Sequence, residues 1–479
     1  MRAGTAQRRT PQGEQHHRGQ RDQVGRHGEQ EGEVGDHGVT MAAGGIIKAP
    51  QDRHMGDGWV GAAPGDRVRM FRCQGGQGLG MDEDANFRAG ARTAELRKIR
   101  GITQRALALR ANVSYSLLRK VETGDRPASP SFIAAVARAL SVPVADLTEQ
   151  PYRGGNASVI SEQAGVSALR QALGEGDDQE LDTGTRDLAG LRRTVAEIKD
   201  HDRRTRHAEA VRALPDVLRH LHRAQHEVPA GARAAVHELL AAAYSYALVA
   251  LYRLGHLDLA HLADERARTA AMHGDDPLRA AVAEWNHSLI LLLDGCYSAG
   301  LRSIDRAGTL LDAATRGAAS TAVRGALHLR AAILAARATA TGLAETHLIE
   351  AQALTAPGQD HANHYGTKFS APNVAIHRVA VPVELLDGTT AVHRAASVRL
   401  PAGTAPSRVG AYWIDLARGW LLHGDRGKAL EALQTARQVA PQLTRYHPQV
   451  HDTMRSLASR DRRATSTLSG FAAWCGVRT

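Results

Sequence analysis

The side chains with the most chemistry to offer are crowded between Asn86 and Pro127. Ten basic residues stand there (Arg88, Arg92, Arg97, Lys98, Arg100, Arg105, Arg110, Arg119, Lys120 and Arg126) against three acids, Glu95, Glu122 and Asp125. The whole 479-residue chain carries a formal charge of +10, so most of its excess sits in this one short segment. Fixed cations at that density attract a polyanion, and Thr103, Gln104, Ser114, Tyr115 and Ser116 place hydrogen-bonding groups among them.

Enzyme signatures are absent from the chain. It contains no GxxxxGKS/T, GxSxG or HExxH, so no enzymatic activity is expected. His222 and His226, and His361 and His364, have the spacing of metal ligands on one helix face. Neither pair has a cysteine or acid at suitable spacing, so they read as ordinary surface histidines, with no metal and no cofactor. GGQGLG at 75–80 looks like a phosphate-binding glycine loop but lacks a strand before it and a helix in register after it.

Short helices must hold the basic segment in place. A basic helix over about 88–100 stops at Gly101, and Thr103 caps a second helix, 104–111, through its hydroxyl. A turn at Asn112 and Val113 leads to Ser114, which caps a third helix running to about Thr123 before Gly124 stops it. Pro130 and Ser131 open a fourth, 132–140, with Phe132, Ile133, Val136, Ala137 and Leu140 at helical spacing. Val144 and Leu147 mark a short closing helix.

The run TQRALALRANVSYSLLRKVETG, residues 103–124, resembles the Xre (phage-repressor-like) helix-turn-helix family. The shared features are T-Q, then L-A, a tight turn, V-S, an apolar residue four on from the serine, and E-x-G. The departure is Asn112, where glycine is usual, although asparagine also tolerates the left-handed backbone. The likeness covers only residues 86–150. It implies that Leu107, Leu118 and Val121 pack inward, that Val113 anchors the turn, and that Ala108 lets helices two and three cross closely. It further implies an ion pair between Arg97 and Glu122. In such a module the third helix enters the major groove of double-stranded DNA. Tyr115, Ser116 and Lys120, with Arg119 beside them, would then reach base edges, while Thr103, Gln104, Arg105, Ser114 and Arg126 would meet phosphates.

The rest of the chain reads differently. Aromatics make up only 4% and Ala and Leu dominate the second half, a composition that favours helix throughout. Residues 1–85 lack apolar periodicity and are expected to be disordered, with Met81 as an alternative translational start. Residues 153–185 read as a polar linker, and 186–479 as amphipathic helices. Breaks fall near Pro229, Gly274, Pro357, Pro401 and Pro441, and the ambiguous stretch 366–386 is read as helix. AYWIDLARGWLLHGDRGKALEALQTARQVAPQ, 411–442, is similar to the tetratricopeptide (TPR) pattern, with weaker copies around Gly255, Gly295 and Ala344. The gap between Ala344 and Ala429 is wide enough to hide a further unit near 373–386. The expected fold is therefore all-α: a five-helix lambda-repressor-like DNA-binding domain over 86–152, then a TPR-like α-solenoid.

Cys73, Cys296 and Cys475, odd in number and far apart, suggest free thiols in a reducing compartment. No apolar stretch is read as approaching the roughly 20 residues that span a bilayer, so a cytoplasmic protein with no membrane contact is expected. The combined resemblance, to regulators of actinobacterial type, implies a sequence-specific transcriptional regulator. Its repeat domain would sense a peptide or small-molecule effector, form a homodimer, or both. An interaction scaffold with secondary DNA binding is the alternative. Trp285, Tyr297, Tyr412, Trp413 and Trp420 read as packing residues.

Overall fold

The computed structural model describes residues 89–151, 161, 163–177, 187–355, 363–460 and 466–476, and every regular element among them is helical. The expected disorder of 1–85 lies outside the described residues, as do Arg88, Cys73, His361 and the glycine run at 75–80.

Five helices form the N-terminal module: α1 (Ala89–Ile99), α2 (Gln104–Arg110), α3 (Tyr115–Glu122), α4 (Pro130–Leu140) and α5 (Val144–Thr148). Leu107, Leu118, Val136, Leu140 and Leu147 are fully enclosed in its core, with Phe132 and Ile133 beside them. Thr103 accepts from the Ala106 amide at 3.2 Å and Ser114 from the Leu117 amide at 3.1 Å, each satisfying a donor that the first helical turn leaves free. At α4 the capping residue is Ser129, not Ser131. Its hydroxyl accepts from Phe132, and Pro130 takes the first helical position, where a missing N–H costs nothing.

The segment read as a linker contains a packed helix, α6 (Val166–Glu175). Val166, Leu169, Ala172 and Leu173 recur at helical spacing and are buried with Leu191 and Leu214. Glycines and acids on both sides hide that stripe in the sequence. The packed part of the repeat domain thus begins about twenty residues before 186.

Behind it run α7 (Leu188–Arg203), α8 (His207–Glu227), α9 (Arg233–Arg253), α10 (Leu257–Met272), α11 (Pro277–Leu293), α12 (Tyr297–Asp312), α13 (Ala318–Arg337) and α14 (Thr341–Ala353). Then come α15 (Ala371–Glu384), α16 (Gly388–Ala395), α17 (Pro406–His423), α18 (Arg426–Val439), α19 (Pro441–Arg445), α20 (Pro448–Arg460) and α21 (Ser466–Cys475). From α7 to α18 they pair as successive helix hairpins. The pair α15/α16 supplies the unit expected between Ala344 and Ala429, and the ambiguous 366–386 stretch is helical over Ala371–Glu384.

One turn recurs through the hairpins. Thr205, Gly255, Gly295, Thr339, Leu386 and Gly424 take left-handed backbone, with φ from 60° to 105°. In each case the next amide bonds back to the carbonyl five residues earlier, at 2.8–3.0 Å, which closes the helix end. Five residues past each turn a small residue is buried at the helix crossing: Ala210, Ala260, Gly300, Ala344, Ala391 and Ala429. Gly101, Asn112, Ser141 and Glu149 end helices of the N-terminal module in the same way. The cores of the repeats overlap along the chain, each cluster handing on to the next, as expected where each unit buries its face on its neighbours.

One expectation about length is corrected. Ala230–Arg253 is long and apolar enough to cross a membrane, with 67% of its apolar window buried. Its hydrophobicity has a packing explanation: it is enclosed by neighbouring helices and carries Tyr244, Ser245 and Tyr246 in its buried set.

Candidate nucleic-acid interface

The sequence of α3 separates it into an inner and an outer face. Leu118 and Val121 point into the core, while Ser114, Tyr115, Ser116, Arg119 and Lys120 are exposed. Thr103, Arg105 and Arg126 are exposed too, so the structure leaves these three together with the outer residues of α3 open to solvent. Tyr115 is 42% exposed, and the Arg105 guanidinium lies 5.7 Å from its ring centre, linking α2 to α3.

A network beneath this surface sets the angle of α3. Arg97 on α1 donates from Nε to Glu122 Oε1 at 2.8 Å and from Nη2 to Oε2 at 2.9 Å. Its third nitrogen, Nη1, donates to the Ile102 carbonyl at 3.0 Å. The two side chains are only 11% and 4% exposed, and the Glu122 hydrogen bond and charge raise the Arg97 pKa against the cost of burial. Gln104 completes the arrangement. Its Nε2 donates to Glu122 Oε2 at 2.7 Å, so in the free protein this amide braces α2 against α3 rather than pointing outward. The sequence carried a signal for that contact, since Gln104 and Glu122 belong to one motif. A close backbone approach adds to it: a side chain at Gly90 would collide with the Val121 carbonyl, so α1 can lie this near α3 only with glycine there. Asn112, φ 52°, takes the left-handed turn between α2 and α3.

The opposite side of the module is fastened to the repeats. Arg138 on α4 donates from Nη1 to the Gly295 carbonyl at 2.9 Å, and Arg455 Nη2 lies 3.3 Å from Glu149 Oε2. Burial raises the Glu149 pKa, with Arg455 and Arg92 acting against it. The DNA-facing candidates are thereby left uncovered while α4 and α5 are engaged elsewhere.

His222, read as a surface histidine, is instead buried, because both ring nitrogens find partners there. His222 Nδ1 lies 2.5 Å from Asp177 Oδ1 and its Nε2 lies 2.5 Å from the Tyr244 hydroxyl. Among the described residues no group of His, Cys, Asp or Glu is arranged to hold a metal ion.

A helix-turn-helix family model matches residues 94–147, an interval that runs from α1 into α5. No curated protein is found to match the chain. A similar solved structure is that of Bacillus thuringiensis PlcR in complex with the peptide PapR7 and DNA. It shares 11% identity at a TM-score of 0.29, over 74% of this chain and 95% of that one. The chain therefore carries a helix-turn-helix domain, followed by a long series of helical hairpins.

Proposed function

We propose that the protein is a sequence-specific DNA-binding transcriptional regulator, with the helix-turn-helix module as its output. The observation that carries this reading is the outer face of α3. Tyr115, Ser116, Arg119 and Lys120 stand exposed on a helix whose inner face is fixed by Leu118, Val121 and the Arg97–Glu122 pair. Docked N-terminus first in a major groove, such a helix presents Lys120 to guanine O6 and N7, Ser116 to a base edge, and Tyr115 to a thymine methyl group or a phosphate. Thr103, Arg105, Ser114 and Arg126 supply phosphate contacts around it. Gln104 contributes by holding Glu122.

The helical hairpins, read as TPR-like, serve as the sensing and assembling part. They take up a peptide or small-molecule effector and pair two chains into a homodimer, so that two modules meet two half-sites of an operator. The reading places the protein in the cytoplasm, with no membrane partner and no cofactor. Binding selection with the full chain on random duplex DNA tests it. Enrichment of a palindromic motif is the expected result. Binding without any sequence preference would favour the interaction-scaffold reading and overturn this one.

A further inference from the structure

Two cavities of about 240 and 120 Å3, the larger walled by both the repeats and the helix-turn-helix module, share six lining residues: Tyr252, Arg253, Leu289, Arg330, His377 and Arg408. They are two lobes meeting at a ring of three arginines drawn from α9, α13 and α17. We propose that this ring is the binding site for an oxyanionic group, a carboxylate or a phosphate, on a small ligand whose apolar part occupies the larger lobe.

Together the lobes are lined by seven cationic side chains and three carboxylates. Every one of those carboxylates is already held. Asp202 meets Lys368 at 2.5 Å, Glu384 meets Arg337 at 3.0 Å and Arg418 at 2.8 Å, and Asp415 meets Arg418 at 3.2 Å. Among the described residues Arg253, Arg330 and Arg408 have no carboxylate within ion-pair distance. Their contacts are of another kind: Arg253 lies over the Tyr252 ring, Arg330 over Trp285, and Arg408 donates to Asn373 Oδ1 at 2.8 Å. Nη1 of Arg330 is enclosed and makes no hydrogen bond at all.

Leaving such charges alone is costly. Burial above all lowers the pKa of Arg330 and Arg408 to about 10; Arg408, Arg253 and Arg337 add to it at Arg330, and Arg253 adds to it at Arg408 against the pull of Asp415 and Asp202, so both remain cationic at neutral pH. His377 and His447 on the same walls are held neutral by burial and by neighbouring arginines. Cations gathered beside an enclosed cavity, with the nearby carboxylates already paired to other residues, are stabilised when a further anion joins them. Guanidinium groups suit that anion, because their planar fork matches carboxylate and phosphate oxygens.

The larger lobe has Ile133 of α4 and Val144 and Thr148 of α5 in its wall, beside Leu292 and Ile333 of the repeats. An occupant would touch the helix-turn-helix module and the repeat domain together, and so would bias how one is held by the other. That consequence rests on the reading of the repeats as a sensor; the anion site itself does not.

Melting and calorimetric titration of the full chain, in chloride buffer at matched ionic strength, test the site without DNA. The two probes are inorganic phosphate and succinate, which separate the phosphate source from the carboxylate one. Wild-type protein is expected to show a saturable rise in Tm with at least one of them. Arg330→Gln is expected to weaken that probe about tenfold, the size of one charge-assisted hydrogen bond, and the exposed Arg316→Gln to leave it unchanged. A second readout keeps the test decisive if binding is weak. Arg330→Met, which deletes a half-buried charge that has no carboxylate in ion-pair contact, should melt at or above wild type in the absence of either probe. The proposal is overturned if neither probe binds wild type, if Arg330→Gln and Arg408→Gln respond like wild type, or if Arg330→Met lowers Tm without probe. A failure of the regulator reading would appear separately, in the DNA selection.

Discussion

Lys120 on α3 and Arg330 on α13 are both cations, but their surroundings are opposite. Lys120 projects into solvent from a short amphipathic helix, where water and salt screen it and its charge costs little to maintain. Arg330 stands deep in the repeat domain against a cavity wall, with two other arginines near it and one nitrogen unsatisfied. The first environment suits a long, hydrated polyanion that is met at many points by exchange with counterions. The second suits one small oxyanion, fully desolvated and recognised by geometry. Positive charge alone therefore does not identify a nucleic-acid surface; its exposure and its existing partners do.

The ion pair beneath α3 carries the largest expected effect. Replacing Glu122 with Ala leaves Arg97 buried without its partner and Gln104 without its acceptor, a loss of about 3–5 kcal/mol. Hydrogen exchange should show α1–α3 opening while the repeat helices keep their protection. Loss of protection across the whole chain would mean that the two regions fold as one unit.

Next comes the buried carboxylate of the repeats. Burial alone would raise the Glu384 pKa, but Arg337 and Arg418 outweigh it and hold the group at about 2 against an ordinary 4.5. Because the folded-state value is depressed, its stabilisation is complete above pH 4.5 and disappears as pH falls towards 2. The shift corresponds to about 3 kcal/mol. Melting series of wild type and Glu384→Gln should converge across that window.

Histidines on the buried side give a smaller effect. Burial and the nearby Arg408 push the His377 pKa down to about 3, so the folded protein holds its neutral form. Its stabilisation is complete above the ordinary 6.5 and declines below it, by about 2 kcal/mol at pH 5. The drop in Tm from pH 7 to pH 5 should therefore shrink in His377→Gln. On the exposed side the smallest change is predicted for Arg105→Ala. It should weaken binding uniformly across DNA sequences and reduce the slope of log affinity against log salt by about 1.

The two regions also differ in how much of them could be read from the sequence. The module was legible because its signals are local: Thr103 and Ser114 cap helices, Gly101, Asn112 and Gly124 end them, and the apolar positions between follow helical spacing. In the repeats the same left-handed turn was visible only where it falls on Gly255, Gly295 and Gly424. Thr205, Thr339 and Leu386 adopt it without any such mark, held by the closing hydrogen bonds: the first hairpin was overlooked, and the other two were placed only by Ala344 and by the wide gap before Ala429. The helix α6 was hidden by its glycine-rich flanks. Least legible was the arginine ring, whose members are brought together by three separate helices and resemble solvated residues of an arginine-rich chain. Arg330 did carry a clue, since its neighbours Leu327, Leu329, Ala331 and Leu334 are all apolar and buried.

That α3 reads bases is the claim on which the regulator reading depends, and it can be measured directly. The affinities of full-length wild type and Lys120→Ala are compared on the selected operator and on its single-base-pair variants. The account predicts a loss of about 1–3 kcal/mol on the operator, together with loss of preference at one base pair and retained preference elsewhere. Unchanged discrimination at every position, with either no loss or a uniform one, would contradict it.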